Sequence, residues 1–596
     1  MSIDNCQFIT ENNIPKRQRP DRAIALKGRN DFKESVVKVS FQKILIEKKI
    51  FPCIDNMVNI ISKCTVKASL VFNRIIIHCF EKKIELPNFD QNFFIHLFTV
   101  GVTTCSTKII NDVWNTFFKQ YPKIEKIAGL HQYFCYAAIK YRTNFFNSLF
   151  MNFNKRQFYY IKQYCISKKW DWKKYTISII RAINNWPDFF GELPIDCMDF
   201  IDNQKLYLNN NNYSIDKKWL KSNTKNVITY FFNILNGLEK IVDTKRFSIA
   251  PLNRTKRHFI TIDTKNLYNL LNKSKFIGKM TLNDFNLMKN DHWGSIFKTT
   301  NLSSNKYKFS YFIETNGVSA SVHFKCDKKI TNTENIEFEM NRVIAVDPGR
   351  CNIIFAVEKI NDRTKTYKLT RGDYYASSGM NYSRNKNKYW QNQIKDAENI
   401  YSRISPKTSS GIVLDGFLSN FIEVYDLIWN AKLEKKRARL QFKVYCLKRK
   451  KIDSFLQSWT LTGEQKPLVL YGAAKFNCTG KGEKAVPVSF VAKRCANFYK
   501  TEMIDEFCTT KVCCECNERT YTIDDNGKSI RGLRWCSSTK CRRFFDRDLN
   551  AALNILRCPA SHSRPNSLSR EYFNGLSLNE KLLLNKKKTL FKKKSN

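Results

Sequence analysis

At 596 residues the chain is long enough for two to four domains, each with its own core. A hydrophobic fraction of 43% excludes wholesale disorder, and no run of about 18 uncharged apolar residues offers a membrane span. Lysine and arginine number 101 against 53 acidic residues, a net charge of +48. A polyanion relieves the self-repulsion of that excess, and nucleic acid leads because each neutralised phosphate releases counterions. A bias of the kind an AT-rich gene encodes would favour lysine over arginine, but not the sum of the two over the acids. Met1 to Ile14 is mixed and polar, unlike a signal peptide. A reducing compartment is therefore expected, with most of the 20 cysteines acting as free, buried, small hydrophobes.

Residues 1–32 read as a basic arm. The run Pro15-Lys16-Arg17-Gln18-Arg19-Pro20-Asp21-Arg22 carries two prolines too close together for a helix, and suits either a solvated tail or a nuclear import signal. Residues 33–110 are of mixed pattern, with apolar runs such as Leu70-Val71-Phe72 and Ile75-Ile76-Ile77, and are assigned to the first part of a β region. Residues 111–254 turn helical. Gln132 to Phe153 and Ile179 to Trp186 place aromatic and apolar residues at helical intervals, the mark of helix core, with base stacking as the alternative. Across 255–338, short runs such as His258 to Ile262 and Ser319 to Phe324 predict the second part of the β region.

Val343-Ile344-Ala345-Val346-Asp347-Pro348-Gly349-Arg350 is an apolar strand ending in Asp-Pro-Gly, with a second apolar run from Ile353 to Val357. Pro348 and Gly349 supply turn geometry for a hairpin, which holds Asp347 rigidly at the strand end, within reach of a metal. Further on, Lys432 to Lys451 predicts a basic helix. Leu433, Leu440, Val444 and Leu447 form its apolar stripe. Lys435, Lys436, Arg437, Arg439, Lys443, Lys448 and Arg449 cover the rest and suit phosphate contact.

Cys513-x-x-Cys516 precedes Cys536-x4-Cys541. Two cysteine pairs with short internal gaps are what one tetrahedral, four-thiolate zinc ion needs, and four protein ligands leave no open position, so this Zn2+ is read as structural. Asp524-Asp525-Asn526-Gly527 predicts the hairpin turn of a small ribbon, and Cys514 is expected to point away from the ion. Then comes Asp546-Arg547-Asp548-Leu549-Asn550-Ala551-Ala552-Leu553-Asn554-Ile555-Leu556, read as a helix from Asp548 that packs Ala552, Leu553, Ile555 and Leu556 inward. Asp548, in the first turn, suits either a metal or the helix N-cap. Residues 559–596 read as a disordered basic tail, with Lys586-Lys587-Lys588 and Lys592-Lys593-Lys594 near its end, suited to a second nuclear signal or nonspecific DNA contact.

Strand-Asp-x-Gly, a zinc ribbon and Arg-Asp-x-Asn-Ala-Ala-x-Asn-Ile together resemble the TnpB proteins of insertion sequences, and more closely their eukaryotic and viral relatives, the Fanzor proteins. Leu468 to Phe476 is similar to the family's middle strand, and Ile504 to Cys514 to its approach to the zinc. The resemblance covers about 340 to 560; the residues before it match only in character, a β region interrupted by a helical one. It implies a multidomain α/β protein. A RuvC-like nuclease domain of the RNase H-like kind would span 339–510 and 546–558, with the zinc ribbon at 511–545 inserted in it. A β-barrel-like wedge domain, 33–110 and 255–338, would precede it, interrupted by a helical recognition domain.

The resemblance further implies RNA-guided cutting of DNA. Its partners are a guide RNA and target double-stranded DNA bearing a short flanking motif, with no membrane; a nuclear protein, monomeric with its RNA, is expected. TnpB ends its middle strand in a catalytic glutamate, where this chain has Gly472. Fanzor proteins supply that glutamate from the segment before the ribbon, and the matching residue is Glu506, favoured over the adjacent Asp505, which a strand would turn to the opposite face. Asp347, Glu506 and Asp548 would then hold two Mg2+ ions for hydrolysis that leaves a 5′ phosphate, three carboxylates suiting hard cations. The seven histidines lie outside these motifs, so no histidine base is assigned. A binding protein that has lost cutting, motivated by Gly472, and a strand-joining transposase are the alternatives. A transcription factor built on the ribbon fits least, because the ribbon is embedded in another domain.

Overall fold

Four strands, β1 (Phe32–Ser40), β2 (Ile260–Ile262), β3 (Lys308–Thr315) and β4 (Ser319–Asp327), make one sheet in the order β1-β4-β3-β2. The sequence-distant segments 32–40 and 260–327 thus share a sheet, and the described residues between them are mostly helical. The computed structural model describes residues 32–103, 105–125, 131–185, 192–209, 215–299, 307–327, 342–360, 363–460, 464–474, 476, 485–525, 528–559, 564–577, 580 and 589–590. Among the described residues no helix is long and apolar enough to cross a membrane. They divide into two units, one built from Glu34–Cys326 and Asn387–Arg439, the other from Asp327–Lys386 and Leu440–Asn596.

The first unit departs from expectation in 33–110. Only β1 is a long strand there; α1 (Phe51–Glu81) takes up the Ile75-Ile76-Ile77 run. Pro52 fits the first turn of α1, where its missing N–H costs no helix bond. Every residue from Cys64 to Ile77 is buried, so this stretch of α1 shows no exposed stripe to separate it from a buried strand. The two cations it buries are partnered. Lys67 donates to the carbonyls of Phe98 and Val100, and Arg74 pairs with Glu81 and Asp415. Next to it runs α2 (His131–Ser167), whose Tyr141, Phe145, Leu149 and Phe153 are buried at helical spacing. These aromatics are core, as favoured over base stacking.

The second unit holds a five-stranded sheet in the order β7-β6-β5-β8-β9, with β5 (Val343–Asp347), β6 (Asn352–Ile360), β7 (Arg363–Thr370), β8 (Leu468–Gly472) and β9 (Thr501–Ile504). β6 runs antiparallel to β5 and β7, while β8 and β9 run parallel to β5. Side chains alternate strictly between the faces. Ile344, Val346, Val469 and Tyr471 join one core with Ile452 and Leu456 of α3 (Lys435–Gln457) and Val491 and Cys495 of α4 (Val488–Phe498). Ala345, Leu468 and Leu470 face the other core, with Ala552 and Ile555 of α5 (Arg547–Leu556). The same alternation turns Asp347 towards the α5 side.

Three further expectations are modified. Residues 387–439, expected within the nuclease domain, group with the first unit. The basic helix expected over 432–451 is interrupted at Glu434, whose extended backbone (ψ 131°) ends the preceding helix, Tyr425–Leu433. The tail is ordered over 564–577: Leu568 is fully buried, and Arg564 and Arg570 bind the main-chain and side-chain oxygens of Asp505. The basic arm over 1–31 and both terminal lysine runs lie outside the described residues.

A candidate carboxylate site and metal centre

Asp347 is the last residue of β5 and only 6% exposed. Its turn is tight, since a side-chain carbon on Gly349 would lie 2.7 Å from the Asn352 carbonyl. Burial pushes the Asp347 carboxyl well above the usual carboxylate range; Glu506 and Asp548 push it further, and Arg547 opposes them. The structure therefore brings the three sequence-predicted carboxylates into one electrostatic neighbourhood.

Glu506 follows β9 by two residues. Its Oε1 accepts from the Ala474 N–H at 3.1 Å, just past the end of β8. Burial raises its carboxyl to about 7, with Asp505 adding and the Ala474 N–H and Arg547 opposing. Asp505, the neighbour that the sequence offered as the alternative, pairs with Arg570 instead. A side-chain carbon on Gly472 would overlap the Glu506 carboxylate and come within 2.9 Å of Pro348 Cδ.

Asp548 sits in the first turn of α5, but the N-cap is Asp546, whose Oδ1 accepts from the Asp548 and Leu549 N–H groups at 2.9 Å each. The carboxylate of Asp548 is thereby left to accept from Asn352 Nδ2 at 2.6 Å. Sequence reading missed Asn352. It lies five residues past Asp347, at the start of β6, and the hairpin itself was the signal that could have found it.

Cys513, Cys516, Cys536 and Cys541 gather their sulfur atoms within 4.8 Å of one another, and among the described residues no other group of three or more potential ligands does so. The Cys513–Cys541 and Cys516–Cys536 sulfurs are 3.8 and 3.5 Å apart. Four sulfurs about 2.3 Å from one tetrahedral ion stand about 3.8 Å from each other, so the cluster fits zinc. Burial alone would raise the Cys516 thiol, but hydrogen bonds from the Glu518 backbone and the other three cysteines bring it down to about 7. Cys514 lies outside the cluster, its thiol pushed up to about 11 by burial. The ribbon is completed by β10 (Tyr521–Asp525), β11 (Lys528–Cys536) and β12 (Arg543–Asp546), with Asp525 opposite Lys528 in the expected hairpin. Turn residues 526–527 lie outside the described residues.

The three carboxylates do not close to the spacing of the thiolates. Ligands shared between two ions about 4 Å apart need not do so. Their chemistry fits hard divalent cations: oxygen donors only, partly buried, with acids displaced in the direction that a cation would reverse.

The basic set divides. Lys435 pairs with Asp55 at 2.9 Å, Lys436 pairs with Glu434, and Arg437 donates to the carbonyls of Ala431 and Trp390. Arg449 donates to the Tyr445 hydroxyl at 3.0 Å. Lys448 is half-buried, whereas Arg439 and Lys443 are exposed. Lys435, Lys436 and Arg439 also line a cleft of about 690 Å³ in the first unit with Lys63, Lys123 and Arg257.

A family model described as a domain of unknown function, DUF8286, matches residues 260–326, the stretch that holds β2, β3 and β4. No curated protein matches. Among solved structures, CasPhi-2 (Cas12j) bound to crRNA and phosphorothioate DNA is 13% identical, with 45% of this chain and 55% of that one covered and a TM-score of 0.21. CasPhi-2 bound to crRNA alone is 10% identical, with 47% and 60% covered and a TM-score of 0.23. The chain thus spans little more than half of either solved protein, and likeness at this level carries no argument.

Proposed function

We propose that this chain is an RNA-guided DNA endonuclease of the Fanzor kind, with Asp347, Glu506 and Asp548 as its cutting centre. The observation that carries the reading is the placing of three carboxylates at the end of β5, the exit of β9 and the first turn of α5, where the charges of Glu506 and Asp548 both act on the buried Asp347. The strand order β7-β6-β5-β8-β9, with β6 alone antiparallel to the rest, supports an RNase H-like domain with the ribbon inserted before its last helix.

Asp347, Glu506 and Asp548 would hold two Mg2+ ions, which supply charge stabilisation and a nucleophile at neutral pH. The protein's own part is positioning. Asn352 fixes the Asp548 carboxylate, the Ala474 N–H fixes Glu506, and strand packing fixes Asp347. The exposed Arg439 and Lys443 suit phosphates of a guide–target duplex, read by its backbone. In this reading the first unit supplies the wedge and recognition parts, and the protein acts in the nucleus, associated with a transposon, as a monomer with its RNA. Gly472, which motivates the binding-only alternative, is compatible with cutting because the Glu506 carboxylate stands in the space it leaves.

The test is co-expression with RNA transcribed around the gene, sequencing of the bound RNA, and challenge with a plasmid library carrying a matching target and randomised flank. Cutting that requires the RNA and Mg2+ is expected. Bound RNA without cutting would move the reading to a binding protein, and joined DNA ends would move it to a transposase.

A further inference from the structure

Two asparagines of α5, Asn550 and Asn554, are fully buried one turn apart. Both amides reach the same two carbonyls. Asn550 Nδ2 donates to Thr509 O at 3.1 Å and Val512 O at 2.7 Å; Asn554 Nδ2 donates to them at 2.9 and 2.8 Å. The side-chain oxygens are used as well. Asn550 Oδ1 accepts from the Cys514 N–H at 2.9 Å, and Asn554 Oδ1 from Arg557 Nη1 at 3.1 Å. Arg557 in turn donates to Cys514 O at 2.7 Å and Asn517 Oδ1 at 2.7 Å. Every amide hydrogen of the pair is thus spent on one short segment, and no buried polar atom of either side chain is left over.

That segment joins the two chemical centres. It begins at Glu506, whose carbonyl accepts from the Thr509 N–H and hydroxyl at 3.3 and 3.2 Å. It turns through Cys508 in the left-handed region (φ 61°), with Lys511 and Val512 N–H groups both returning to the Cys508 carbonyl. It ends in the first zinc knuckle, Cys513 to Cys516. The helix that holds it carries Asp548 two residues before Asn550.

We infer that Asn550 and Asn554 are positioning residues that clamp the Glu506–Cys514 segment to the Asp548 helix, so that occupancy of the four-thiolate site sets the spacing of Glu506 and Asp548. The inference rests on the carboxylate site proposed above and assigns the ribbon a role in ordering it. Small residues would still fit against the sheet at 550 and 554, but only an amide both donates twice and accepts, which aspartate cannot do. With the knuckle disordered, the clamp loses the Cys514 N–H and the Val512 carbonyl together, and Glu506 loses the fixed turn after it.

The test measures Mn2+ affinity at the carboxylates of the whole protein by the electron paramagnetic resonance of free Mn2+, with Asp347→Asn reporting the background. The ribbon is followed separately by the absorption of Co2+ bound to its thiolates. Stripping the thiolate site from the wild type is expected to weaken Mn2+ binding about tenfold or more. Asn550→Ala and Asn554→Ala are expected to reproduce that loss while the Co2+ spectrum stays tetrahedral. Mn2+ affinity unchanged on stripping the wild type overturns the clamp, even if both variants fail to fold. An unchanged affinity in variants with an intact Co2+ spectrum overturns it too. Guided cutting with an affinity indifferent to the ribbon sinks the clamp alone; ribbon-dependent Mn2+ binding with no guided cutting sinks the nuclease reading alone.

Discussion

Gly472 and Glu506 compete for one volume: a side-chain carbon on Gly472 would overlap the Glu506 carboxylate, which itself holds the Ala474 N–H. The missing side chain at the end of β8 is therefore the condition for the one arriving from β9. Gly472→Ala should displace Glu506, with Pro348 Cδ at 2.9 Å closing the other direction. A loss of about 100-fold in the rate of cutting is expected, with thermal unfolding moved by no more than a few degrees, because misplacing one charge-bearing group costs the reaction far more than the fold. Single-turnover cleavage beside a melting curve checks this.

Glu506 titrates at about 7 because burial disfavours its charge, and Asp347 is raised in the same direction. The folded chain thus holds these protons more tightly than the unfolded chain. The stability this contributes is complete below the unfolded carboxylate pKa of about 4 and is lost as pH rises through about 7. Metal-free Glu506→Gln should be more stable than the parent at pH 8, by about 1–2 kcal/mol after solvent screening, and indistinguishable from it at pH 4. Denaturant titrations at the two pH values decide. Calorimetry in buffers of different ionisation enthalpy should show protons released when Mg2+ is added near pH 6.5.

The Asn352 amide holds Asp548 at 2.6 Å and touches no other predicted ligand in the site's hydrogen bonding. Asn352→Ala should lower cutting about tenfold and raise the Mg2+ concentration needed for half-maximal rate, as loss of a ligand's hydrogen-bond partner does at metal sites. A Mg2+ titration of the rate measures both.

Metal analysis of the purified chain should find one zinc. Cys516→Ser should lose it, together with folding energy on the order of several kcal/mol, whereas Cys514→Ser should keep it, since Cys514 lies outside the sulfur cluster.

Among the basic residues of α3 and its approach, Arg439 and Lys443 are exposed while Lys435 is tied to Asp55. Replacing both Arg439 and Lys443 with Ala should flatten the salt dependence of nucleic-acid binding by about one unit of slope for each phosphate no longer neutralised. Lys435→Ala should lower stability instead and leave the slope unchanged. Binding isotherms at several salt concentrations separate the two effects.

What was legible in the sequence was what short spacing encodes. The Val343–Asp347 strand, its hairpin, the two cysteine pairs and the 547–556 helix each need only neighbouring residues, and each is found where expected. Glu506 came from resemblance, and its geometry depends on Gly472 and Ala474, more than 30 residues earlier in the chain. Asn550 and Asn554 were read merely as motif letters, because their partners are backbone carbonyls at 509 and 512, which no side-chain pattern announces. The helix at 51–81 was missed because full burial erases the polar face that would mark its period. Lys435, Lys436, Arg437 and Arg449 of the basic helix's set bind groups of the chain itself, since charge counting is blind to intramolecular partners.

The most direct measurement is guided cleavage by Glu506→Gln and Asp505→Asn side by side, in complexes shown to carry the same RNA. Asp505 pairs with Arg570, whereas the charge of Glu506 acts on Asp347. The account predicts a fall of at least a thousandfold for Glu506→Gln and near-normal cutting for Asp505→Asn. Full cutting by Glu506→Gln would contradict it.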